Sequence, residues 1–176
     1  MRVVLEYIEE VKLRSQSFGT LVKTAHARDF FRKVAERTLE ECRFSFLRGK
    51  EINLNAIAVS ENKIRKLNRT YLGRDAVTDI LSFSEYATCS ALAEEKRKAI
   101  FLGEIFFCPM FIAKRAERDL SREVIPVIIK TTKKKEAMLK WELAYIFSHG
   151  VLHLVGFDHE EEMFAIQEKV ADLLEK

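Results

Sequence analysis

The stretch Ile52-Asn53-Leu54-Asn55-Ala56-Ile57-Ala58-Val59-Ser60-Glu61-Asn62-Lys63-Ile64 changes its hydrophobic pattern partway along. Up to Val59 it alternates: Ile52, Leu54, Ala56 and Ala58 fall on one face, and Asn53, Asn55, Ile57 and Val59 on the other. That is the pattern of a strand. Apolar residues on both faces near its end predict cover from both sides there. Ser60 can accept a hydrogen bond from an unpaired helical N–H, which predicts an N-cap and a helix over Glu61–Thr70. A strand running straight into a helix is the unit of an interleaved fold.

The same alternation of elements extends both ways. Upstream, Val3–Tyr7 reads as a short strand. Arg28–Arg43 reads as an amphipathic helix, with Phe30, Phe31, Val34, Ala35, Thr38, Leu39 and Cys42 at helical spacing. Downstream, Asp79–Phe83 and Phe101–Cys108 read as strands, and Pro109 suits the first turn of a helix running to about Leu120. A basic loop is expected over Ser121–Lys135, around Pro126. A long helix follows from about Lys133 to Val155, ended by Gly156, and a last helix runs from about Glu160 to Leu174. The expected fold is α+β, close to α/β: a small mixed sheet of about four strands with helices packed on it. Glu85–Ala99 and Ser121–Thr132 read as surface insertions.

Composition narrows the function. At 176 residues the expectation is a single domain over 1–176. Hydrophobic residues are 48% and charged residues 32% of the chain, enough for a packed core. The net charge of +3 permits an anionic partner without demanding one. No run of apolar residues is long enough for a membrane span, and the Met1-Arg2-Val3-Val4-Leu5-Glu6 start lacks a signal-peptide core. Cys42, Cys89 and Cys108 are scattered and form no CxxC pair, so neither a disulfide framework nor a zinc ribbon is expected, and a reduced, cytoplasmic protein is.

Three of the four histidines fall within Ser148-His149-Gly150-Val151-Leu152-His153-Leu154-Val155-Gly156-Phe157-Asp158-His159. His149 and His153 are four apart on a helix and so share a face. Gly156 frees the backbone to turn and to return His159 toward them. Three imidazoles with a fourth position open are the donor set of a catalytic zinc site, and nickel suits the same ligands. The spacing H-x3-H-x2-G-x2-H is that of metzincin peptidases, which place a glutamate general base directly after the first histidine. Gly150 stands there instead. A phosphodiester brings its own anionic oxygens, so the missing base favours that substrate over a peptide. The fourth histidine, His26, has no partner nearby and reads as a surface residue.

The run His149-Gly150-Val151-Leu152-His153-Leu154-Val155-Gly156-Phe157-Asp158-His159 resembles the H-G-x-L-H-L-x-G-[YF]-D-H signature of the YbeY family, metal-dependent endoribonucleases of bacterial ribosomal-RNA maturation. Leu67-Asn68-Arg69-Thr70-Tyr71 with Thr78-Asp79-Ile80-Leu81-Ser82-Phe83, and Leu102-Gly103-Glu104-Ile105, resemble two further segments of that family. The resemblance implies cleavage of single-stranded RNA, a role at the 3′ end of 16S rRNA and in ribosome quality control, and contact with ribosomal particles. It also implies a zinc ion on His149, His153 and His159. Leu72 stands where the family usually has an arginine that serves RNA cleavage, and Val77 stands where it has a proline.

Two basic clusters flank these motifs. Lys63, Arg65, Lys66, Arg69 and Arg74 lie in a stretch without acidic residues, and Lys130, Lys133, Lys134 and Lys135 precede the histidine helix. Lys63, Lys66, Arg69, Arg74, Lys133, Lys134 and Lys135 are candidate RNA contacts through phosphate. The general base is open. Glu104, on a strand expected near the cleft, is one candidate assistant to water. Asp158 is another, either orienting a ligand histidine or capping the last helix. Asp79 either contacts the site or caps a turn. The leading function is a zinc endoribonuclease; the alternatives are a metzincin-like peptidase and a non-catalytic RNA-binding factor of ribosome assembly.

Overall fold

The computed structural model describes residues 1–11, 24–122 and 132–175. Four strands form one mixed sheet. They are β1 (Arg2–Glu9), β2 (Glu51–Ala58), β3 (Ile80–Ser84) and β4 (Ala99–Phe107), in the spatial order β1-β2-β4-β3. β1, β2 and β4 run parallel, and β3 closes one edge antiparallel to β4. Six helices accompany them: α1 (Thr24–Glu41), α2 (Glu61–Leu72), α3 (Cys89–Glu94), α4 (Pro109–Arg122), α5 (Thr132–Leu154) and α6 (Glu161–Glu175). The fold is α+β.

The pattern of β2 explains the layering. Ile52, Leu54, Ala56 and Ala58 are buried on the face toward α1 and α5, together with Val3, Leu5, Ile100, Ile105 and Phe107 of the neighbouring strands. Among the described residues the opposite face of the sheet is closed only at its end. There Ile57 and Val59 meet Ile64 of α2, Leu81 and Cys108 in a smaller apolar cluster. Ser60 caps α2 by accepting the Lys63 N–H at 3.3 Å, and Gly73 ends it in the left-handed conformation, φ 68°.

α5 carries no amphipathic signal because it is buried nearly all round. Leu139, Leu143, Ala144, Ile146, Phe147, Val151, Leu152 and Leu154 are all inside. Phe147 meets Phe31 of α1 at 4.6 Å between ring centroids, and Phe31 meets Phe107 of β4 at 4.7 Å. Polar groups tie the helix down as well. The Thr38 hydroxyl donates to the Val34 carbonyl at 2.7 Å and lies 3.0 Å from the Ser148 hydroxyl, which is left to donate to it. The residue before His149 is thereby fixed to α1.

Some boundaries differ from the sequence reading. α1 begins at Thr24, before Arg28. Glu85–Ala99 lies mostly at the surface, as read, but it is not without structure. It holds α3, whose Leu92 is fully buried, and it contributes the first residue of β4. Spaced Leu and Ala in a short polar stretch gave too little periodicity to show this. Both ends of the expected basic loop are helical: α4 reaches Arg122 and α5 starts at Thr132. Residues 123–131, with Pro126 and Lys130, lie outside the described residues.

Candidate metal centre

α5 places His149 and His153 one turn apart, as their spacing requires. Their Nε2 atoms face each other at 3.0 Å. After Leu154 the chain turns at Gly156, φ 90°, and returns His159 to the same place. The ring centroids stand 4.4 Å (His149–His153), 5.0 Å (His149–His159) and 4.7 Å (His153–His159) apart. One ligand atom from each ring lies within 4.8 Å of the others. Tetrahedral zinc with nitrogen bonds of about 2.0–2.1 Å separates its ligand atoms by roughly 3.4 Å. The observed spacing is close to that. His149 and His153 are half-buried and His159 is exposed, so the cluster opens to solvent on the side of His159.

The donor chemistry fits a metal ion. Burial first, then the neighbouring His153 and His159, lower the His149 pKa to about 4, so its ring is neutral at pH 7. Burial also lowers that of His153. A ligand must offer a free lone pair, and neutral imidazole does. His153 Nδ1 lies 2.9 Å from the Phe157 carbonyl oxygen. That carbonyl fixes the ring and turns Nε2 to the centre, the arrangement by which an outer partner orients a metal ligand. The sequence reading missed it, because a main-chain carbonyl leaves no mark on residue type.

The helix face next to the trio is tight. A Cβ on Gly150 would stand 2.8 Å from Ile80 Cδ1, 3.0 Å from Ser82 Oγ and 3.1 Å from Ile105 Cγ2. The position that carries glutamate in metzincins therefore points into the sheet, away from any substrate.

The candidate assistants fall in different places. Glu104 is not brought to the imidazoles. It pairs with Asn55 in the β2–β4 register and accepts from Asn55 Nδ2 at 3.1 Å, while its neighbour Ile105 faces α5. Strand alternation sends its carboxylate to the opposite face of the sheet. Asp158 is exposed and acts on His153 through charge; its carboxylate makes no hydrogen bond among the described residues. Asp79 does turn work: Oδ1 accepts the Ile80 N–H at 2.9 Å. Its other oxygen pairs with Arg115 of α4 at 2.6 Å, and Arg115 also reaches the buried Glu142 of α5 at 2.9 Å. Asp79 is near enough to His149 to favour the charged ring. This carboxylate–guanidinium–carboxylate bridge escaped the sequence reading, since its members are far apart in the chain.

The basic candidates divide. Lys66, Arg69 and Arg74 are exposed around the end of α2. Lys63 lies 3.7 Å from Glu10, and Arg65 makes a two-bond pair with Asp75 at 2.8 and 3.0 Å. Lys133, Lys134 and Lys135 sit in the first turn of α5, and their side chains lie outside the described set. His26 is exposed on α1, as read. Leu72 is 56% exposed at the end of α2.

Comparison with known proteins agrees with this geometry. The family model described as Endoribonuclease YbeY matches residues 15–175. Endoribonuclease YbeY of Thermotoga maritima is 32% identical over 131 residues, covering 69% of this chain and 67% of its own. The protein of the same name from Neorickettsia sennetsu is 28% identical over 143 residues, covering 80% of this chain and 81% of its own. Among solved structures, the solution structure of TM1509 from Thermotoga maritima superposes with a TM-score of 0.53 at 25% identity, covering 97% of this chain and 89% of that one. With its sheet, its histidine trio and this match along nearly its whole length, the chain belongs to the YbeY family.

Proposed function

We propose that the chain is a zinc-dependent endoribonuclease that cuts single-stranded RNA, acting on the 3′ end of 16S rRNA and in ribosome quality control. The observation that carries this reading is the convergence of His149, His153 and His159 on one point open to solvent. A zinc ion held there lowers the pKa of bound water toward about 7. His149 and His153 offer neutral nitrogens, and the Phe157 carbonyl holds the second ring in place. The described residues at the trio include no carboxylate in the position of a general base, which suits a substrate carrying its own phosphate oxygens. Lys66, Arg69 and Arg74, with Lys63 and Lys133–Lys135, supply positive charge for the RNA backbone. The whole chain, 1–176, works as one domain on this reading, in the cytoplasm and on ribosomal particles. Among the described residues no helix is long and apolar enough to cross a membrane.

The peptidase alternative is weakened by Gly150, whose position is packed against Ile80, Ser82 and Ile105. A non-catalytic RNA-binding role draws on one observation: Leu72 exposes an apolar side chain at the position where the family resemblance implies an arginine that serves RNA cleavage. Arg115 does not replace that arginine, because two carboxylates already hold it.

One experiment separates the three. The purified protein, its metal content fixed by elemental analysis, is assayed on single-stranded RNA and on casein, beside His153→Ala. The expected result is RNA cleavage without proteolysis, lost with the metal in the variant. RNA binding without cleavage at full zinc occupancy supports the non-catalytic role instead. Cleavage undiminished in the variant refutes the site.

A further inference from the structure

Tyr71, in the last turn of α2, is 62% exposed, and Leu72 beside it is 56% exposed. The tyrosine ring is nonetheless held in place. It meets Phe83 of β3 edge-to-face at 4.8 Å between centroids, and Phe83 meets Phe106 of β4 in the same manner at 5.6 Å. Phe83 and Phe106 are half-buried and pack on the small apolar cluster at the end of the sheet. An edge-to-face pair covers at most one face of either ring. Tyr71 therefore keeps a flat aromatic face in water while the ring it leans on fixes its position.

The surroundings of the ring are cationic. From Asn62 to Arg74 the chain carries Lys63, Arg65, Lys66, Arg69 and Arg74 and no acidic residue. Asp75, the next residue, is taken up by Arg65 through two bonds of 2.8 and 3.0 Å. Lys66 and Arg69 on the last two turns of α2, and Arg74 just past Gly73, are exposed and make no salt bridge among the described residues. One carboxylate shares the sheet face with Phe83: Glu104, its partner in the β3–β4 register, which accepts from Asn55. The ring also stands close to the metal centre in the fold. Ser82, which precedes Phe83, packs against Gly150, which follows His149. Strand alternation turns Ser82 to α5 and Phe83 to the other face. Only the edge strand β3 separates the two.

We propose that Tyr71, braced by Phe83, is a stacking site for an unpaired nucleobase of single-stranded RNA, with Lys66, Arg69 and Arg74 serving the phosphates next to it. A base inside a duplex has both faces covered by its neighbours, so an open ring selects a single strand. Every base has a π-face, so the site takes any of the four. The charge pattern favours this occupant over an apolar protein surface, since the cores of protein interfaces are depleted in lysine and in charge. The inference rests on the RNA reading proposed above and adds what holds the base; it does not depend on the metal ion.

The test measures binding in chelator, where no cleavage occurs. The full chain is titrated into a short fluorescein-labelled oligouridylate, and into an abasic oligomer of the same length and charge, with anisotropy as the readout. Tyr71→Ala is expected to bind the oligouridylate about 5–100-fold more weakly than wild type and the abasic oligomer equally well. Tyr71→Trp is expected to keep the wild-type affinity, and its added tryptophan emission should be quenched by the oligouridylate alone. The wild-type protein, whose one tryptophan is Trp141, gives the background. Melting curves confirm that the variants fold, as an exposed position allows. Equal oligouridylate affinity in wild type and Tyr71→Ala overturns the stacking site and leaves the RNA reading standing. A loss that is the same on both oligomers also overturns it, since the ring then does not meet a base. So does self-association of the wild type in sedimentation runs that Tyr71→Ala abolishes without change in RNA affinity, which assigns the face to a second copy of the chain. A wild-type protein that binds neither oligomer removes the RNA reading itself.

Discussion

The backbone nitrogen of Cys89 lies so near Gly156 that a Cβ on the glycine would stand 2.6 Å from it. The start of α3 thus presses on the turn that separates His153 from His159. Gly156 also holds φ at 90°, which a residue with a side chain adopts only under strain. Gly156→Ala is therefore expected to displace the turn. The strain and the clash together should cost about 2–3 kcal/mol, or roughly 4–12 °C of Tm for a chain of this length. Zinc affinity should fall with it, because only His159 is carried by the turn. Thermal melts and a zinc competition titration check both.

Gly150→Ala should lower stability by about 1–3 kcal/mol through overpacking against Ile80, Ser82 and Ile105. Gly150→Glu, which restores the metzincin motif in sequence, should be worse and should confer no proteolysis, since its carboxylate is driven into the sheet. Urea unfolding midpoints and a casein assay on the two variants give the answer.

Arg115→Met removes the guanidinium between Asp79 and Glu142. Glu142 is 8% exposed and is left without its partner. The expected loss is about 3 kcal/mol, at the low end for a broken buried pair because the Arg115 side chain is still one-third open to water. Arg115→Lys should not restore it, as an ammonium lacks the fork that reaches two carboxylates. Denaturant unfolding of the two variants measures this.

Burial pushes the Cys42 thiol up to about 12, and its Sγ donates to the Thr38 carbonyl at 3.2 Å. At pH 8 the thiolate is a minor species by roughly four powers of ten. Iodoacetamide should therefore label Cys42 of the native protein on the order of a thousand times more slowly than a free thiol. Unfolded, the same thiol ionises at its ordinary lower value. The stability gained from keeping it neutral is complete below that value and drains away as pH rises toward 12. Mass spectrometry after timed alkylation at pH 8 and 10 reads the first effect, and alkaline unfolding the second.

What the sequence disclosed follows from which interactions leave a periodic trace. The β2–Ser60–α2 unit was legible because strand alternation, cap and helix follow one another without a gap. His149, His153 and Gly156 were legible because helical spacing and a left-handed turn constrain residue type. Glu104 was misplaced because alternation gives two faces and nothing local says which one meets α5; the β2–β4 pairing with Asn55 decides it. Asp79, Arg115 and Glu142 act through contacts between distant elements, and a charged residue on a helix looks the same whether it faces water or a partner on another element. α3 was missed as a helix because one buried leucine in six residues carries too little pattern.

Among the groups around the three rings, the Phe157 carbonyl differs in kind: it belongs to the main chain. Every amino acid placed at 157 brings the same oxygen, so no ordinary substitution there deletes it. A chemist would have to exchange an amide for an ester in the backbone to weaken that acceptor. The aim of His153 is thus inherited from the path of the polypeptide, and it can be lost only by rerouting the loop.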